Sequence, residues 1–261
     1  MTSSFNFEMG KANETKDPLF SFGMGSFIMR TCRAGALPRS RRRATTHVSG
    51  VVVLNIPDKP FSARTSTDWT KTLEDGSTVT THLDAMLARD SVGRVYRENH
   101  TFVPANSGEK SPLYEIHIYD PRSRYQIICS THSMKCVVTD YLPHTFFETQ
   151  QAGPYDNGTK TLARESLGSD SIEGLSVSGT RETVTVNQGV KGNERPLVSV
   201  NEFWYSNELQ TNLLVSRTDP IEGKQVIRLS NLSLGQPDAH LFEVPLGYTV
   251  QDMRSSVLRH R

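Results

Sequence analysis

From Pro60 onward, apolar and polar residues alternate in short runs broken by turn residues, which is the period of half-buried β-strands. In "FSARTSTDWT" (61–70), Phe61, Ala63, Thr65, Thr67 and Trp69 alternate with Ser62, Arg64, Ser66 and Asp68. "LEDGST" (73–78) is an Asp-Gly turn, and "TVTTHLDAMLA" (78–88) then places Val79, Leu83, Ala85 and Leu87 on one face. "RDSVGR" (89–94) turns the chain again, with Gly93 free to take a positive φ. "VYRENHTFV" (95–103), "LYEIHIYD" (113–120), "YQIIC" (125–129) and "CVVTDY" (136–141) continue as a meander. Strands resume with "SIEGLSVSGTRETVTV" (171–186), "LVSVNEFWYS" (197–206), "TNLLVSRTD" (211–219) and "KQVIRLSNLSL" (224–234).

Between these halves, residues 142–170 have no clear period and contain Pro143, Gly153, Pro154, Asn157 and Gly158. They read as a long surface loop, with room for a short helix near "FFETQQ" (146–151). Residues 1–50 show neither period and read as a disordered basic extension. A wrongly chosen start codon, or a degenerate export signal, gives the same pattern. The expected fold is all-β: an antiparallel open half-barrel of about 10–11 strands, with one or two short helices at most. It occupies residues 51–253 and is followed by a basic tail, 254–261.

Composition agrees with a sheet that has a solvated face, since only 36% of the residues are apolar. The net charge of +1 gives the whole chain no nucleic-acid footprint. One run is strongly basic, "RTCRAGALPRSRRR" (30–43), with six arginines and no acid. An export signal needs an apolar core after such a run, and only "VVVL" (51–54) follows. No window is long and apolar enough for a transmembrane helix.

The closing third resembles a known group. "EFWYS" (202–206), a return strand, the turn "SRTDPIEGK" (216–224) and "QVIRLSNLSLGQPDAHLFEVPLGYTV" (225–250) are similar to the last segment of the LolA/LolB/RseB-type superfamily of periplasmic lipoprotein carriers and sensors. Residues 57–253 more closely resemble a family of exported bacterial proteins that share "TLEDGST" (72–78), "RDSVGR", "IEGLSVSGTR" (172–181) and "GNERP" (192–196). The resemblance implies an open half-barrel enclosing an apolar cavity under covering helices, in a periplasmic or secreted protein. No segment has the amphipathic period of such a helix, and only residues 142–165 leave space for one.

Candidate chemistry is sparse. "CSTHSMKC" (129–136) puts Cys129 and Cys136 on facing strands, at a separation a disulfide can bridge. A disulfide would imply an oxidising compartment. The same hairpin, with His132 and Met134, offers soft metal ligands, and reduced thiols are the third reading. Cys32 lies in the arm, without a partner. If the "RDSVGR" turn pairs Asp90 with Arg94, His100 falls opposite Asp84 and beside His82, and His117 is expected on the same polar face. That set is a candidate metal site, against the plainer reading of a solvated face. Trp69, Trp204 and Tyr205 are candidates for an apolar pocket. No nucleophile elbow, zinc-helix motif or phosphate loop is present.

Two functions are consistent with this. The first is a non-catalytic cell-envelope protein that binds an apolar ligand (a lipid or lipoprotein acyl chain) or a protein partner on its half-barrel, with no cofactor. The alternative is a metal-binding protein or metal-dependent enzyme, using the sheet-face histidines or the Cys129–Cys136 hairpin.

Overall fold

The computed structural model describes residues 51–142 and 150–255. The expected arm, the greater part of the expected helix near 146–151 and residues 256–261 lie outside these. The strands run β1 (Phe61–Thr72), β2 (Thr78–Arg89), β3 (Val95–His100), β4 (Val103–Pro104) and β5 (Leu113–Asp120). They continue with β6 (Tyr125–Ser130), β7 (Lys135–Asp140), β8 (Gly153–Tyr155), β9 (Lys160–Ile172) and β10 (Leu175–Val186). The last are β11 (Leu197–Ser206), β12 (Thr211–Asp219), β13 (Gly223–Leu234) and β14 (Thr249–Asp252). A single turn of 3-10 helix covers Ala239–Phe242.

Among the described residues, all 14 strands belong to one open sheet, in the order β14-β7-β6-β5-β3-β2-β1-β13-β12-β11-β10-β9-β8, with β4 added on β2. Two meanders therefore meet at the central β1–β13 pair, where Thr65 lies opposite Leu229 and Thr67 opposite Ile227. The first runs outward from β1 to β7; the second returns inward from β8 to β13. After β13 the chain crosses back to the far edge, and β14 pairs parallel to β7.

The expected strands are present, and the structure adds β4, β8, β9 and β14. The segment read as loop up to residue 170 contains β8 and most of β9. β9 hides its period because only Leu162 is buried along it, and a bulge at Gly168 (φ 84°) shifts its register against β10. What reads as one strand at 171–186 is two, joined by Glu173 and Gly174. Both have positive φ, 50° and 77°, as a two-residue hairpin turn requires.

Apolar side chains form two clusters. One comprises Phe61, Ala63, Leu87, Val95, Leu175, Val177, Leu213 and Leu229, with Val51 and Val53 packed on it. The other comprises Ala88, Tyr96, Ile116, Ile118, Ile127, Cys129, Cys136, Val138 and Phe242, with Leu241, Val244 and Tyr248 beside it. Leu87 and Ala88 are neighbours on one strand, as are Val95 and Tyr96, so the clusters lie on opposite faces. The segment before β1 covers one face, and the segment around the 3-10 turn covers the other.

Arg89 fixes the first cover. Its side chain is fully buried, and its guanidinium donates to three backbone carbonyls: Lys59 at 2.8 Å, Leu54 at 3.1 Å and Leu209 at 2.8 Å. The guanidinium also lies 5.1 Å from the Phe61 ring centre. Burial pushes its pKa down to about 10, which leaves the charge in place at neutral pH. The covering segment crosses directly over Gly93, where a Cβ would stand 3.1 Å from the Ile56 backbone. On the other face, Arg94 pairs with buried Asp90 at 2.6 Å and lies 4.8 Å from the Phe242 ring centre.

Cys129 and Cys136 form a disulfide across the β6–β7 hairpin, with Cα atoms 4.0 Å apart. Their sulfurs are bonded to each other, so this hairpin offers no thiolate to a metal.

Substitution measures what these two anchors are worth. Arg89→Ala strands three buried carbonyls and should lower the unfolding free energy by about 3–5 kcal/mol in urea denaturation. Arg89→Lys should recover only part of that, because an ammonium lacks the planar fork. Replacing both Cys129 and Cys136 by Ala should cost roughly 2–3 kcal/mol in the same assay. A loss near zero for Arg89→Ala would show that the covering segment is held by other contacts.

Candidate functional site

A pocket of about 530 Å³ opens on the face covered by residues 51–55. Its floor comes from alternate residues of neighbouring strands: Thr65 and Thr67 of β1, Leu83, Ala85 and Leu87 of β2, Val95 of β3 and Ile227 of β13. The strand registers place these side by side, with Thr65 opposite Ala85 and Leu87 opposite Arg97. Val51, Val52 and Val53 form one wall. That wall is pinned by Arg89 on Leu54, by the Thr211 hydroxyl on the Val52 carbonyl at 3.0 Å, and by Asn55. Asn55 donates to the Gly93 carbonyl at 3.0 Å and accepts from the Tyr141 hydroxyl at 2.6 Å.

The opposite side is polar, with Arg97, Asn99 and His100, while Phe102 and Tyr114 also line the space. This side exists because the sheet splits. β2 pairs with β3 only from Leu87 to Arg89, and farther along it pairs with β4. Two backbone donors of β2 are thereby freed and taken by side chains. Met86 N–H donates to the Glu98 carboxylate at 2.9 Å, and Asp84 N–H to the Ser111 hydroxyl at 3.2 Å. Glu98 also accepts from the Tyr96 hydroxyl at 2.9 Å and lies 2.9 Å from His100 Nε2. Burial pushes the Tyr119 and Tyr141 phenols up, Tyr141 to about 12, so both stay neutral donors beside the pocket.

The aromatic candidates stand elsewhere; none of the three lines this pocket. Trp69 donates to the Glu222 carbonyl at 2.7 Å and meets Phe102 edge-on, with ring centres 5.9 Å apart. Trp204 lies across Gly179, where a Cβ would stand 2.8 Å from the indole. Tyr205 lies close enough to buried Arg89 for each to perturb the other. The pocket is lined instead by small and branched side chains, whose signal in the sequence is the same alternation that marks any strand.

The expected histidine set is divided by the sheet. His82 lies between two carboxylates on its own face, Asp68 at 2.6 Å and Asp84 at 3.1 Å. His100 bonds to Glu98 and, through Nδ1, to the Ser111 carbonyl at 2.7 Å. His117 pairs across strands with Arg97, so it faces the pocket side and bonds to Glu115 and to the Tyr119 hydroxyl. His117 is thus on the face opposite His82, while His100, which a bulge after Asn99 sets opposite Leu113, lines the pocket. Among the described residues, no group of three or more His, Cys, Asp or Glu side chains is placed to hold a metal ion.

No family model and no curated protein matches the chain. Solved structures similar to it include a conserved protein from Thermus thermophilus, at 10% identity and TM-score 0.37, over 74% of this chain and 90% of that one. The MucA/MucB complex of Pseudomonas aeruginosa matches at 12% identity and TM-score 0.38, over 74% of this chain and 58% of that one. A LolA superfamily protein from Nitrosomonas europaea matches at 10% identity and TM-score 0.29, over 73% and 92%. Among the described residues, no helix is long and apolar enough to cross a membrane.

The hydrogen bond that the Asp68 carboxylate accepts from His82 raises the His82 pKa above its usual value; desolvation, the next largest effect, opposes it, and the hydrogen bond to Asp84 adds to the rise. A raised folded-state pKa stabilises the protein fully below the unfolded value of about 6.5, and that contribution fades as pH rises through the folded value. The carboxylates are half exposed, so the contribution should stay below about 1 kcal/mol. Urea denaturation across this range should show wild-type stability falling with pH, and His82→Gln should flatten that slope. An unchanged slope would assign the pH dependence to other groups.

Proposed function

We propose that this chain is a non-catalytic cell-envelope protein that holds an apolar ligand, a lipid or a lipoprotein acyl chain, in the pocket beneath residues 51–55. The pocket itself is the observation that supports the reading. Its volume lies in the range of small-molecule sites, and its floor and one wall are mainly aliphatic. Each methylene buried there would contribute about 0.8 kcal/mol, so a chain of modest length binds without any motif of catalytic type. The Cys129–Cys136 disulfide supports an oxidising compartment such as the cell envelope.

The wall of valines suits entry and exit. It is a stretch outside the sheet ladder, held at a few points by Arg89, Thr211 and Asn55. Such a segment opens at lower cost than a strand within the sheet. Most of the remaining lining belongs to strands of the sheet.

Native mass spectrometry of the full chain, produced in an oxidising compartment, tests the proposal. A lipid-sized mass that co-purifies and leaves on denaturation is the expected result. Substituting Ala85 with Trp should fill the floor and abolish that adduct while the protein stays folded. A chain that carries no such mass, and takes up none when incubated with a total lipid extract, would overturn the reading and favour a protein partner.

A further inference from the structure

The pocket is not uniformly apolar, and Arg97 is the one lysine or arginine among its described lining residues. Arg97 lies in the pocket lining and is exposed. Its neighbour across the strands is His117, and the nearby carboxylate on that face, Glu115, is already engaged by His117 and by the Asn99 amide. Glu98 is the only carboxylate among the described lining residues. Its oxygens are taken up by the Tyr96 hydroxyl, by His100 and by the Met86 N–H rather than by Arg97. Among the described residues, Arg97 has no carboxylate partner.

We propose that the pocket selects an amphiphile with a single anionic head group, which Arg97 binds while the tail lies along Leu83, Ala85, Leu87 and the Val51–Val53 wall. This deepens the binding reading above and rests on it. The geometry favours such a ligand because Arg97 and Leu87 are a directly opposed pair on one face. A head group on the guanidinium therefore starts its tail at the apolar floor. A guanidinium meets a carboxylate or phosphate through two parallel N–H donors, which a neutral ester or alcohol cannot match. Once the tail excludes water, the local dielectric falls and the pair strengthens. Glu115 meets the Asn99 amide and His117 through Oε2 and forms no ion pair with Arg97 among the described residues.

Paired fluorescent probes separate this inference from the pocket reading. Full-length protein would be titrated with cis-parinaric acid and with its methyl ester, which share one tail and differ in charge. The acid should bind at least about tenfold more tightly. Arg97→Gln should bring the acid down to the level of the ester, leave the ester unchanged and preserve the melting temperature, since Arg97 is exposed. Competition by palmitate, lysophosphatidate and monopalmitoylglycerol then tells a carboxylate head from a phosphate. Displacement by either anion well ahead of the neutral lipid supports the proposal. Acid and ester binding equally well to the native protein would remove Arg97 as an anchor and leave the pocket intact. Binding of neither would take down the pocket reading and this inference together.

Discussion

A buried guanidinium with no carboxylate beside it among the described residues holds this structure together. Taking a charge out of water costs several kcal/mol, and the usual remedy is a counter-ion. Arg89 instead meets three backbone carbonyls contributed by residues 54, 59 and 209. The planar fork suits this, because its donors point outward in fixed directions and each finds an acceptor from a different place in the chain. The acceptors are fixed dipoles, so no second charge has to be desolvated. One side chain thereby joins the covering segment, the first meander and the β11–β12 turn of the second. The pocket depends on it, since the valine wall is the stretch that leads into Leu54.

Covering a broad open sheet usually requires helices, and among the described residues this sheet is covered instead by the segments before β1 and after β13. Residues 51–60 cover one face, and the segment after β13 covers the other. Each is anchored by an arginine in or beside the same β2–β3 turn: Arg89 reaches one face, and Arg94, held by Asp90, reaches the other. A turn that reads in sequence as punctuation thus carries both covers. Gly93 is needed there twice over, for its positive φ of 88° and for the backbone passing above it.

The strands were legible because alternation is a local property, and ten of them lie where the period places them. Which face each strand buries was not legible, for a physical reason. On β2 the odd-numbered Leu83, Ala85 and Leu87 are apolar, and on β5 it is the even-numbered Ile116 and Ile118. The ladder puts Arg97 opposite both Leu87 and His117, so the apolar side of the sheet changes face between β2 and β5. Each strand alone looks like an ordinary amphipathic strand. Assuming one polar face collects His82, His100 and His117 onto it; the β2–β3 register is the expected one, but the pairing of β3 with β5 puts His117 on the face opposite His82, and a bulge after Asn99 redirects His100. The disulfide was legible because it needs only two facing strands, and Arg89 was not, because its partners are carbonyls, which every residue has.

The same change of face accounts for the character of the pocket. To one side of the β2–β3 boundary, the floor belongs to the strands that are apolar on this face. To the other, the strands turn their apolar residues away and present Arg97, Asn99 and His117 instead. The sheet also splits at this boundary, where Glu98 and Ser111 stand in for missing ladder partners. A cavity centred on such a boundary has an aliphatic half and a polar half, whatever the individual residues. A purely apolar ligand would leave Arg97 partly desolvated without a partner, at a cost. A polar one would leave Leu83, Ala85, Leu87 and the valine wall unused. The architecture, before any particular side chain, therefore favours a ligand with two chemically different ends.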